Sequence, residues 1–376
     1  MCDSVITLPN PAAEPGGLAA SVAKVFRQVS SSEPRLKPFQ LGSIPIDPPL
    51  LLAPMAGHTH VGFRTLVREL GACGLVCSEL ISSHVLEHNP KSRQTRDLFD
   101  WSPAEWPFAV QLFGSVPQEM ATAARLVVEA GAPIVDINMG CWVPKVAKKG
   151  CGAALLSDLL KAEAVVRAVC EAVDVPVTVK VRIGFEQGKP TAVSFAQAAA
   201  NAGAKLITVH GRYAKQGFKG QSDHSVTAKV KETVGSSMAV IANGDIVDTE
   251  SARMVLQETG CDGLMLGREC LRRPWILAKM AHELCGKPLP DARFHPARIA
   301  RRQFELTRTL VKKPEKVVVR ELRGQLLPYR LGAPTDHNRP ERTELEMELR
   351  ERLVKAETFE QMEQFLLEAE EKTWAN

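Results

Sequence analysis

From about residue 50 to 280 the chain alternates short aliphatic and β-branched runs with longer stretches of helical spacing. The runs fall at residues 50–53, 75–78, 108–111, 134–137, 177–180, 206–209, 239–242 and 263–266. Between most of them lie segments rich in Ala, Glu, Arg and Leu, such as 118–129 and 159–173, which read as amphipathic helices. Eight βα units in roughly 230 residues predict an α/β protein of the TIM (β/α)8 barrel type. A doubly wound sheet is the alternative, but no Gly-x-Gly-x-x-Gly follows the first run.

A barrel concentrates its chemistry at the carboxyl ends of its strands. Read in order, those ends carry Pro54-Met55-Ala56-Gly57, Glu79, Gln111, Asn138 with Cys141, Lys180 with Arg182, His210-Gly211-Arg212, Asn243-Gly244-Asp245 and Gly267-Arg268. Ordinary βα loops need turn residues, but they do not need Gln, Lys and His in these places. Any one of these side chains alone could be a loop hydrogen-bonder or a satisfied buried group; the set carries the inference. Cys141 follows the run 134–137 on a loop, where a thiol is placed for chemistry and not for packing. After the last two strands, glycine amides and the Arg268 guanidinium offer a phosphate site, a common place for one in such barrels. A flat phosphorylated cofactor such as FMN would then lie across the strand ends, with Lys180 beside its ring and His210 and Gln111 on its polar edge.

Around this barrel the sequence divides into three parts: 1–40, a flexible extension; 41–285, the barrel; and 286–376, a helical domain. The first mixes Pro, Gly, Ser and Ala, with one helical patch at 19–29, and its Asp3 and Glu14 are out of place in a transit peptide. In the third, Arg293, Arg298, Arg301, Arg302, Arg308, Lys312, Lys313, Lys316, Arg320, Arg323 and Arg330 crowd together, and glutamates dominate from Glu341 to Glu371. Pro334, Asn338 and Pro340 mark a loop between the two charge types. Two helical faces that pair with each other would explain this pattern as simply as a surface for polyanions.

The chain of 376 residues is 45% hydrophobic, enough for a sizeable core, and its net charge of +4 does not by itself imply nucleic acid. Nine cysteines without regular spacing, and no apolar stretch of transmembrane length, point to free thiols in a reducing cytoplasm with no membrane partner. Cys73 and Cys77 lack a second pair to complete a tetrahedral site, so no metal is expected.

The motifs at the strand ends resemble those of the tRNA-dihydrouridine synthases, FMN enzymes that reduce selected uridines with NADPH. The matching segments are residues 53–57, 110–114, 136–141, 179–182, 208–212, 242–245 and 267–268, in the family's order; a weaker match covers 319–323. The resemblance implies that Cys141 is the acid that protonates uridine C5 and that Asn138 holds the uracil edge. It implies that Arg182 lines the substrate, and that Pro54, Met55, Ala56, Gln111, Lys180, His210, Asn243, Gly244, Asp245, Gly267 and Arg268 hold FMN. Free thiols titrate near about 8.5, so a cysteine is mostly protonated at neutral pH and can serve as an acid. The target base would have to leave its stack to reach the pocket. The helical part would bind tRNA phosphates, with Arg320 and Arg323 three apart on one face, and the enzyme would be a monomer.

The chain departs from the family where Trp142 replaces the usual proline, where His58-Thr59-His60 replaces Val-Thr-Asp, and where Tyr213-Ala214-Lys215 follows His210-Gly211-Arg212. Two other readings use the same residues: a barrel flavin reductase for a free pyrimidine or another small molecule, and a catalytically silent RNA-binding homologue. The first leaves the basic helical part without a purpose, and intact Cys141 and Lys180 speak against the second.

Overall fold

A computed structural model describes residues 36–89, 100–289, 294–331 and 343–374. The helical patch at 19–29, the loop residues Pro334, Asn338 and Pro340, and Arg293 and Glu341 lie outside the described residues. Strands β1 (Phe39–Leu41) and β2 (Ile44–Ile46) form an antiparallel hairpin, and β1 takes in the last two residues of the segment expected to be a flexible extension. Then come β3 (Leu50–Leu52), β4 (Val76–Cys77), β5 (Ile81–Ser82), β6 (Phe108–Phe113), β7 (Ile134–Met139), β8 (Val177–Gly184), β9 (Leu206–Tyr213), β10 (Ala239–Asn243) and β11 (Gly263–Leu266). Their spatial order is β3-β11-β10-β9-β8-β7-β6-β4, every pairing parallel. A bridge from Leu51 to Leu75 closes the ring, supported by the Leu52 amide donating to the Leu75 carbonyl at 3.0 Å. The predicted barrel is therefore present, with β5 as an extra short strand on the end of β6.

Alternation along the strands separates two cores. Val177, Val179, Val181 and Ile183 of β8 join the large core shared with the outer helices. Leu51, Leu75, Cys77, Ala109, Ile134, Leu206, Ile241 and Met265 form a second core inside the barrel, together with Leu41, Ile44 and Ile46 of the hairpin. The hairpin thus fills the amino-terminal end of the barrel. Going up the same inward register, the residues become polar: Gln111, Asp136, Asn138, Thr178, Lys180, Arg182, Thr208, His210 and Asn243. The barrel is greasy below and hydrogen-bonded above, and that gradient puts the chemistry at the carboxyl end.

Four helices follow the barrel: Pro296–Leu310, Glu315–Leu326, Glu344–Lys355 and Phe359–Trp374. The first packs on helix Val61–Glu69 at Gly62, where a Cβ would fall 2.9 Å from the Thr307 Cα, so no other residue allows this approach. Beside it, His60 caps helix Val61–Glu69 by accepting the Phe63 amide on Nδ1 at 3.3 Å. Its Nε2 is then the protonated nitrogen and donates to Gln325 Oε1 at 3.0 Å. Burial brings His60 down to about 4, so the ring is neutral at physiological pH. Gln325 donates in turn to the Gly57 carbonyl at 3.0 Å, and Gln303, itself bonded by the Tyr329 hydroxyl, donates to Gln325 Oε1. Gln325→Leu leaves the buried Gln303 and the half-buried His60 without this partner, and urea unfolding should show a loss of about 1–3 kcal/mol. Unchanged stability would mean that the junction contributes nothing.

All eight described cysteines are free thiols, and Cys73 and Cys77 are buried, with desolvation holding both thiols well above their usual range. Among the described residues no helix is long and apolar enough to cross a membrane.

Candidate active site

At the carboxyl ends of β6 and β7, a line of hydrogen bonds runs from the barrel interior to the Cys141 loop. Asp136 accepts from the Thr178 hydroxyl at 2.5 Å and from Gln111 Nε2 at 2.6 Å. Gln111 Oε1 accepts from Asn138 Nδ2 at 2.7 Å. Asn138 Oδ1 accepts the amides of Gly140, at 3.2 Å, and Cys141, at 2.9 Å. Burial pushes the Asp136 carboxyl up to about 6, while Gln111, Thr178 and Lys180 pull it down. At neutral pH it is therefore mostly an acceptor-only carboxylate, and one carboxylate dictates every step of the line. Gln111 must present its NH2 to Asp136, which turns its oxygen to Asn138. Asn138 must then present its own NH2 to Gln111, which turns its oxygen onto the loop amides.

The loop is fixed from two further sides. Ala153 donates to the Cys141 carbonyl at 2.9 Å, and Arg182 Nε donates to the Gly140 carbonyl at 3.0 Å. Arg182 Nη1 also donates to the carbonyls of Tyr213 and Gly217, tying the loop after β7 to the loop after β9. Cys141 itself is half-buried, with a free thiol.

Across the mouth, Lys180 Nζ donates to Asn243 Oδ1 at 3.0 Å, and Asn243 Nδ2 donates to the Met265 carbonyl at 2.7 Å. Burial, and then the neighbouring Arg182, bring Lys180 down to about 8, against the opposing pull of Asp136. Burial first, and then Lys180, Arg182, Arg212 and Arg268, hold His210 far below the usual imidazole range, so it is neutral. Next to it, Gly244 has φ of 113° and Asp245 φ of 52°. A Cβ on Gly244 would lie 2.3 Å from Ser222 Oγ and 2.9 Å from His210 Cδ2, so only glycine lets the strand exit pass this ring. Arg212 bridges the loop, donating to Asp245 at 2.6 Å, to Ser222 Oγ at 2.8 Å and to the Gly220 carbonyl at 2.6 Å. Two exposed aromatics stand at the rim: Phe218, with the Arg268 guanidinium 4.7 Å and that of Arg182 5.7 Å from its ring centre, and Trp142, edge-on to Phe218 at 6.0 Å.

The family model of dihydrouridine synthase (Dus) matches residues 51–369. The chain belongs to the dihydrouridine synthase family. It is 43% identical over 242 residues to tRNA-dihydrouridine synthase B of Pseudomonas putida, covering 64% of this chain and 70% of the relative. It is 45% identical over 242 residues to tRNA-dihydrouridine synthase B of Klebsiella pneumoniae, covering 64% and 74%. To the probable tRNA-dihydrouridine synthase 1 of Synechocystis sp. it is 42% identical over 246 residues, covering 65% and 68%. Among solved structures, histamine dehydrogenase from Rhizobium sp. 4-9 shares the fold, with a TM-score of 0.52 at 13% identity over 72% of this chain and 50% of that one.

In this dihydrouridine synthase the structure gathers Cys141, Asn138, Gln111, Lys180, Arg182, His210, Asn243, Gly244, Asp245 and Arg268 around one mouth, with Met55 touching the space above Gly267. Several of them already have partners within the protein. Gln111 holds Asn138, Asn138 holds the Cys141 amide, Arg182 holds the Gly140 carbonyl beside it and Asn243 accepts from Lys180, while Asp245 is held by Arg212, Arg268 and the Ser222 amide. Asp136, Thr178 and Phe218 were not singled out from the sequence: the first two sit inside strand runs and look like core residues, and Phe218 is a lone aromatic on the loop after β9.

The C-terminal cations divide in the same way. Arg301 pairs with Glu305 and Glu370, Arg302 with Glu69, Arg308 with Glu363, Lys312 with Asp100, Lys313 with Glu321 and Arg330 with Glu346. Three of the six, Arg301, Arg308 and Arg330, pair with the acidic stretch as two paired faces would, whereas Arg302 and Lys312 reach carboxylates of the barrel part and Lys313 one on its own stretch. Arg323 donates to the Val354 carbonyl at 2.9 Å, a helix-end contact, so it does not match Arg320, which is exposed. Among the described residues Arg298, Lys316 and Arg320 are exposed and make no ion pair.

Proposed function

We propose that this enzyme reduces uridine in tRNA to dihydrouridine with FMN at the barrel mouth and NADPH as the electron source. Family membership and relatives named for tRNA dihydrouridine synthesis carry the reaction class. The observation that carries the site is unmet hydrogen-bonding capacity gathered at one end of the barrel. The His210 ring makes no hydrogen bond among the described residues, Lys180 gives one of its three N–H bonds, and Arg268, at 3.5 Å from Asp245, keeps its guanidinium 58% exposed with donors to spare.

That donor set fits a phosphorylated flavin: Arg268 and the left-handed turn at Gly244-Asp245 for the phosphate, and Lys180, His210 and the remaining Gln111 N–H for the ring. Bound there, FMN supplies the electron pair that goes to uracil C6. Cys141 Sγ gives its proton to C5, and the second N–H of Asn138 reaches the uracil edge from a side chain held by Gln111 and the loop amides. Lys180, cationic below about pH 8, places positive charge beside the reacting rings. The tRNA would meet the exposed Arg298, Lys316 and Arg320 by its phosphates. The reading sets a monomer in the cytoplasm.

Purified protein should be yellow and release FMN on denaturation, and Arg268→Ala should weaken FMN binding by more than about tenfold, a lost charge-assisted contact. Colourless protein that takes up no added FMN would overturn the reading.

A further inference from the structure

We propose that His84, His88 and Glu119 form a site for one divalent transition-metal ion of zinc-like chemistry at the rim of the barrel mouth. Helix Ser83–His88 follows β5, and Glu119 sits in the first turn of helix Pro117–Glu129, which follows β6. One donor atom from each side chain lies within 4.8 Å of the others. None of the three takes part in the proposed reaction, so the proposal does not rest on it.

Three features make this more than a chance cluster of exposed groups. His84 and His88 are four apart, so they share one helix face, and their ring centres are 4.2 Å apart. His84 Nδ1 lies 3.2 Å from Glu119 Oε1. In the metal-free protein that contact is a hydrogen bond from His84 Nδ1–H to the carboxylate; two ligands of one tetrahedral zinc, each about 2.0–2.2 Å from the ion, stand about 3.3 Å apart, so an ion that displaces this proton finds the two atoms already at the spacing it needs. Finally, His88 Nδ1 meets the His84 carbonyl at 2.9 Å, which makes Nδ1 the protonated nitrogen and leaves the Nε2 lone pair for a metal. His88 Nε2 closes the remaining distance by a rotation that the exposed rings, 64% and 58% open to solvent, have room for and that gives up the contact with the His84 carbonyl. Two imidazoles and a carboxylate suit zinc, nickel or copper better than magnesium or calcium, and they leave a fourth position for water. An ion there would clip together the helices that follow β5 and β6.

The test is zinc titration of the full chain against a chromophoric chelator, for wild type, His88→Ala, His84→Ala and Glu119→Gln. Wild type should show one saturable site, and each variant should bind more than about tenfold more weakly, since even an outer partner of a ligand is worth that much. Added zinc should raise the melting temperature of wild type and not of the histidine variants, whose metal-free melting should match wild type because the side chains are exposed. Equal zinc affinity in wild type and the histidine variants would place the ion elsewhere, for example on a thiol, and overturn the proposal. So would the absence of a saturable site in wild type.

Discussion

Cys141→Ala is expected to lower dihydrouridine formation by about 10² to 10⁴-fold, the span that a positioned general acid supplies. The physical ground is the loop geometry. The Cys141 amide is pinned by Asn138, its carbonyl by Ala153, and the preceding carbonyl by Arg182. None of these bonds uses the thiol, so alanine removes the proton donor and leaves the loop in place. Flavin content and NADPH oxidation should therefore stay at wild-type levels. Single-turnover assays on unmodified tRNA check the first part and flavin absorbance the second. Wild-type product from the alanine variant would assign the acid elsewhere.

Asp136→Leu is expected to lower the same rate by about 100-fold, whereas Asp136→Asn should keep it within about threefold, effects sized from a misplaced catalytic group. The contrast follows from donors and acceptors. Asparagine can turn its oxygen to Gln111 Nε2 and its NH2 to the Thr178 hydroxyl, which keeps both amides in their present orientation. Leucine leaves Gln111 free to flip, so that Asn138 loses its fixed oxygen under the Cys141 loop, and it strands buried polar groups at a cost of about 1–3 kcal/mol each. The asparagine variant also removes the negative charge that supports Lys180. Its ammonium, already down to about 8, should then lose its proton at lower pH, and the alkaline limb of the rate profile should move down with it. Rates across pH for both variants, with melting curves alongside, provide the measurement. Equal loss in Asn and Leu would show that the charge of Asp136 matters and not the orientation it imposes.

The sequence by itself determined the eight barrel strands and the residue types at the mouth, because apolar periodicity and strand-end chemistry are properties of single segments. It ended several strands too early. Residues 134–137 and 177–180 continue as β7 to Met139 and as β8 to Gly184, because Asn138, Lys180 and Arg182 interrupt the apolar run while their backbones stay in the sheet. Above the greasy layer the barrel interior is polar, so polarity there marks height along the barrel and not the end of a strand. The hairpin Phe39–Ile46 escaped notice for a related reason: three-residue strands carry too little pattern, and its apolar side chains make sense only inside a closed ring.

Only the tertiary structure decided what each polar side chain does. Gln111 and Asp136 are 25 residues apart, Lys180 and Asn243 63, and His60 and Gln325 265. Ring closure and helix docking create these pairs, and no local pattern encodes them. The same holds for charge: along the chain the arginines of the C-terminal part form one basic run, but folding pairs Arg301, Arg302, Arg308 and Arg330 with carboxylates and leaves Arg298, Lys316 and Arg320 facing solvent. Periodicity is short-ranged and can be read in one dimension, whereas a hydrogen bond or an ion pair belongs to two distant segments and exists only once the chain has brought them together.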